Sequence, residues 1–161
     1  MPIYKIDGVD GDVHKPKKIV TLNTIIPTST TITKGDVLMI DTSVTTNGAG
    51  FNVIKGSGAD EAVTVGVAAE TIANSSSSVT LTTKIRVQVA GLNEDCTASG
   101  SAINAGELVG MANTTVEAVA ETSDSNYADD HTTRPFALCV KAFSSGASDG
   151  AIMIFDHGFY G

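Results

Sequence analysis

The clearest pattern along the chain runs from Val79 to Ala90. Val79, Leu81, Ile85, Val87 and Val89 alternate with polar positions, among them Thr80, Thr82, Lys84, Arg86 and Gln88. A period of two buries one face of a strand and wets the other, as in an antiparallel sheet lying on a core. The run is longer than an ordinary strand, so a bend or β-bulge is expected near Thr82-Thr83. Shorter strands are expected at Lys18–Leu22, Val37–Ile40, Phe51–Ile54, Ala62–Val67, Leu108–Met111, Thr115–Val119, Phe136–Lys141 and Ala151–Phe155. Turn-forming stretches separate them, including Lys34-Gly35-Asp36, Asn47-Gly48, Gly56-Ser57-Gly58 and Ser144–Gly150. The spacing over Glu107–Glu121 also admits a helix, although strands fit it better. The pattern predicts an all-β fold, a compact β-sandwich or small β-barrel of short antiparallel strands with an extended N-terminal arm.

The two halves of the chain echo one another. Gly35-Asp36-Val37-Leu38 resembles Gly106-Glu107-Leu108-Val109 at an offset of 71 residues. Val67 and Ala69 with Val79 and Leu81 resemble Val140 and Ala142 with Ile152 and Ile154 at an offset of 73. Glycine before an acid suits a tight turn, because glycine tolerates positive φ. These echoes suggest a two-fold pseudo-repeat within one β domain spanning residues 23–161, preceded by an arm over residues 1–22.

Composition narrows the function. The chain has 161 residues, 42% of them hydrophobic, which is too apolar for a disordered chain and of a size for one domain. No apolar run reaches the eighteen or so residues of a membrane helix. Serine and threonine make up about a fifth of the chain, which favours strands and turns. Net charge is −8 and the pI is near 4.6, an unfavourable balance for gripping phosphates, so neither nucleic acid nor membrane is an expected partner. The charge is unevenly placed. Residues 1–18 carry +1 and the rest −9, and His14-Lys15-Pro16-Lys17-Lys18 is the only basic cluster. Such a segment reads as an arm that docks on a neighbour. No signal sequence is visible at Met1–Lys5, and synthesis in a cytoplasm is expected.

The motifs that could carry chemistry fit structural roles better. Gly146-Ala147-Ser148-Asp149-Gly150 matches the nucleophile-elbow pattern, but the elbow needs a helix after its serine and a strand is expected here. Ser148, Asp156 and His157 are the only basis for a small hydrolase, so no catalytic residue is assigned. Asp7, Asp10 and Asp12 resemble an acidic calcium loop without its bidentate acid and read as a solvated turn. Asp129-Asp130-His131 and Asp156-His157 place acids beside imidazoles, but sequence neighbours on a strand point to opposite faces. No metal site and no cofactor are expected. Cys96 and Cys139 match no zinc or redox spacing and read as free thiols in or near the core. Phe155, Phe159 and Tyr160 near the end of the chain either close the core or pack on a neighbour.

The ordered set Lys34–Leu38, Gly66–Ala73, Ile85–Gly91, Ala102–Val109, Ala137–Val140 and Ile152–Ile154 resembles small tailed-phage and prophage proteins that decorate capsids. The likeness covers about residues 30–155 and rests on order and spacing. The longer segment 1–25, the Ser125–Arg134 loop and the aromatic tail depart from it. The resemblance implies a non-enzymatic cement protein on the outer surface of the expanded head. It further implies a homotrimer that clamps subunits of the major capsid protein. Tyr4, Lys5, His14, Lys15, Lys17, Lys18, Phe155, Phe159 and Tyr160 are then the expected contact residues. The rival reading is an adhesin or carbohydrate-binding β module, which the absence of tryptophan weakens. A tail-tube or connector subunit is a further structural alternative.

Overall fold

A computed structural model describes residues 17–41, 52–57, 64–118 and 135–156. Eleven strands form among these residues, and no helix does. They are β1 (Lys17–Ile26), β2 (Thr30–Ile32), β3 (Val37–Ile40), β4 (Asn52–Lys55), β5 (Thr64–Ala68) and β6 (Ile72–Asn74). The second half contributes β7 (Leu81–Asn93), β8 (Leu108–Ala112), β9 (Thr115–Ala118), β10 (Ala137–Lys141) and β11 (Ala151–Ile154). The all-β expectation holds. Of the stretch that also admitted a helix, the described residues 107–118 form the β8–β9 hairpin, turned at Asn113, whose φ of 54° suits a two-residue hairpin turn. Residues 119–121 lie outside the described residues.

Nine strands run in the order β1-β4-β3-β5-β7-β11-β10-β8-β9, and β1 also pairs with β7. The first five strands therefore close into a small barrel. A ring of five strands cannot alternate direction all the way round, so one pair must be parallel. That pair is β1–β4, in register at Asn23 with Asn52 and Thr24 with Val53, and the Thr24 hydroxyl donates to the Val53 carbonyl at 2.7 Å. The barrel interior is filled by Ile26, Leu38, Val53, Ala68, Ile85, Val87 and Val89, and Ile32 of β2 joins the same core.

The second half is wound in the same way. Strands β11, β10, β8 and β9 follow β7, and the chain beyond β7 returns to β9 through a parallel bridge between Ala98 and Val116. Strand β7 is shared: its first part pairs with β1 and β5, and its last part with β11. The register shift in the β1–β7 pair lies at Lys18/Ile19, opposite Gln88–Ala90, where the strand passes from one unit to the other. The expected bend near Thr82-Thr83 is not where the ladder breaks, since Thr82 and Thr83 pair regularly with Ile25 and Thr24.

The contacts of β2, β3, β5 and β6 in the first unit recur in the second at a spacing of 71 residues. Thr33 N–H donates to the Asp36 carboxylate and Asn104 N–H to that of Glu107, both at 2.7 Å. Gly35 N–H donates to Ala68 O at 2.9 Å, and Gly106 N–H to Cys139 O at 2.8 Å. Ile32 pairs with Ile72, and Ile103 with Phe143. The echo read at an offset of 73 does not hold: Val67 and Ala69 align with Leu138 and Val140, a slip of two, and Ile152 aligns with Val87 and not with Val79. A slip of two residues keeps every side chain on the same face, so alternation alone could not detect it.

The second core holds Cys96, Ala98, Ile103, Val109, Met111, Val116, Phe136, Phe143, Ile152 and Ile154. It also takes in Val37, Met39 and Val67 from the outer face of the first barrel. Strand β3 is thus buried on both sides, with Leu38 inside the barrel and Val37 and Met39 against the second unit. The arm boundary drawn at residue 22 falls inside β1, because Lys17–Leu22 pair with β7 as barrel staves. Residues 1–16 lie outside the described residues.

Candidate interaction surface

The residues singled out for chemistry do not assemble a reactive centre among the described positions. Gly146–Gly150 forms the turn that precedes β11, and Gly146 has a φ of 65°. A strand, not a helix, follows Ser148, so the elbow geometry is absent at that serine. The neighbouring Asp149 accepts from the Ser144 N–H at 2.9 Å and from the Ser144 hydroxyl at 2.6 Å, which holds its carboxyl below the usual aspartate range. Asp149 is a turn brace. No group of three or more His, Cys, Asp or Glu capable of holding a metal occurs among the described residues. Asp7, Asp10, Asp12, Asp129, Asp130, His131 and His157 lie outside them.

Both thiols are free and buried. Burial is the main cause raising the Cys96 thiol, reinforced by the Asp95 and Asp36 carboxylates. Burial also raises that of Cys139, whose S–H donates to the Lys141 carbonyl at 3.2 Å. Neither is a ready thiolate.

Of the expected contact residues, Tyr4, Lys5, His14, Lys15, Phe159 and Tyr160 lie outside the described residues. Lys17 is exposed at the head of β1. Lys18 reaches Asp156 at 3.7 Å across the seam where β1, β7 and the end of β11 meet. Phe155 is half-buried, and its N–H donates to the Phe136 carbonyl at 3.0 Å. The structure thus brings Lys18 and the segment after β11 together.

A second feature went unread in the sequence. Leu92 of β7 pairs with Met153 of β11, Met153 with Leu138 of β10, and Leu138 with Leu108 of β8. Directly paired residues share a face, so four large apolar side chains form one row across four strands. Their neighbours Asn93, Ile152, Cys139 and Val109 are buried, which puts the row on the outer face. Leu108 is 40% exposed, and Val140, one step further along that face of β10, is 42% exposed. The signal was present but ambiguous. In β10 the smaller Ala137 and Cys139 point inward and the larger Leu138 and Val140 outward, against the ordinary reading of size.

The fold defines an all-β protein built on a small closed barrel, extended by a second unit through one shared strand. No family model matches the chain, and no curated protein matches it. Among solved structures it is similar to the N base of the head fiber of bacteriophage phi29, with a TM-score of 0.50 and 11% sequence identity. The likeness covers 85% of this chain and 96% of that one. At such identity what the two share is the fold.

Proposed function

We propose that the protein is a structural component of a phage virion, a decoration or cement protein on the outer surface of the expanded head. It binds the major capsid protein and stabilises contacts between capsid subunits without catalysing a reaction. The observation that carries this reading is the shared fold with a head-fiber base, which extends over nearly all of that chain. The resemblance of the segments from Lys34 to Ile154 to capsid-decorating proteins points the same way. The mechanism is association: each copy buries a modest surface, and many copies on one shell sum their contributions.

Lys17 and Lys18 of the basic cluster stand at the start of β1, at one edge of the described body, in a chain whose residues after 18 carry a net −9. We assign lattice contact to this edge, to the segment 1–16 and to Phe155, Phe159 and Tyr160. Calorimetry of expanded, undecorated heads tests the stabilising role. With the protein at saturation, the melting transition of the shell rises. An unchanged transition on heads that carry bound protein leaves decoration without cementing.

A further inference from the structure

The internal repeat allows the two units to be compared face by face. In the second unit the outer row is Leu108, Leu138, Met153 and Leu92. The same pairings in the first unit give Val37 with Val67, Val67 with Gln88, and Gln88 with Ile19. These rows are structural equivalents, but three of the four members of the first are sealed and only Ile19 at its end is exposed, at 40%, whereas every member of the second is half-buried or exposed. Val37 and Val67 are fully buried and Gln88 is 2% exposed, because the second unit covers them. Val37 N–H donates to the Thr114 carbonyl at 2.9 Å, and Val37 and Val67 share a core with Cys96, Ala98, Met111 and Val116.

The adjoining glycines repeat the contrast. Gly35 and Gly106 have φ of 96° and 93° and donate equivalent hydrogen bonds. A Cβ on Gly35 would collide with the Asp95 carbonyl oxygen, whereas one on Gly106 would meet nothing within 4 Å. The first unit's corner is occupied and the second unit's is open. The open row is nonetheless as apolar as the covered one, and more so at Met153, which stands where the first unit has Gln88.

We infer that the outer row of the second unit, Leu92, Met153, Leu138 and Leu108 with Val140, is a self-association surface. Its occupant is a second copy of this chain, seated head to tail. Within the chain, the element that covers such a row is another unit of the same build. A second copy of this chain carries such a unit. A head-to-tail contact of this kind closes into a ring or extends as a fibre, according to the rotation per copy. The homotrimer that the resemblance implies names no contact surface; the outer row supplies one, with a head-to-tail sense, and does not need a capsid.

Sedimentation velocity on the purified full chain, without capsids, over a wide concentration range is the test. The wild type sediments as a multimer. Leu108→Glu and Val140→Lys, both at exposed positions, shift it to monomer or raise the dissociation constant at least tenfold, with unchanged far-UV circular dichroism. Val79→Lys, exposed but outside the row, leaves the multimer intact. A wild type that is monomeric up to its solubility limit overturns the inference, as does a multimer that survives both folded row variants. Capsid binding is measured separately. A monomer that binds heads would refute only the surface, and a multimer that ignores heads would refute only the decoration role.

Discussion

Asn93 shows how much one polar side chain can hold when it is buried between two units. It is 1% exposed; its amide donates to Gln88 Oε1 at 3.0 Å, and its carbonyl oxygen accepts from the N–H groups of Asp95 and Cys96. Gln88 in turn donates to the Leu92 carbonyl at 2.9 Å. Replacing Asn93 by leucine strands buried donors and an acceptor, so urea unfolding is expected to show a loss of about 1–3 kcal/mol for each unsatisfied group. The exposed turn carboxylates act through charge. Hydrogen bonds from the Asn104 side chain and backbone hold the Glu107 carboxyl below its ordinary value of 4.5, and Ser144 does the same for Asp149 below 3.8. Groups with lowered folded values contribute stability above their unfolded values and lose it as pH falls through the folded ones. The melting temperature should therefore decline on acidification below pH 4.5, and Glu107→Gln should flatten part of that decline in a pH series of thermal melts.

At the scale of elements, the strands at Val37, Leu108, Thr115, Phe136 and Ala151 were legible because turn residues bracket short β-prone runs. Strands β2 and β6 were not. Each spans three residues, too few for alternation to register, and they are held by Asn74, whose amide donates to Ile26 O, Pro27 O and Val79 O. The parallel β1–β4 pair was also illegible, since it follows from barrel closure and not from any local pattern. The outer row was missed for a third reason. Strands β8 and β10 carry apolar residues at both parities, and only tertiary packing decides which face is wet. The paired glycines isolate that packing. Gly106→Ala carries the positive-φ cost of roughly 1–3 kcal/mol. Gly35→Ala carries the same cost and a backbone collision, so it should lose at least about 2 kcal/mol more in chemical denaturation.

On the scale of the whole molecule, the shared β7 and the core that spans both units couple the halves. One cooperative transition is expected, with calorimetric and van't Hoff enthalpies in agreement; two resolved transitions would mean that the units fold separately. The central claim, that the chain decorates a phage head, is tested most directly by cosedimentation with expanded, undecorated capsids from its source. The full chain is compared with one lacking residues 1–16, a cut placed just before β1 so that the barrel stays intact. Saturable binding at a fixed ratio to the capsid protein, lost on truncation, is the predicted result. No binding of the folded full chain to any capsid would contradict the account.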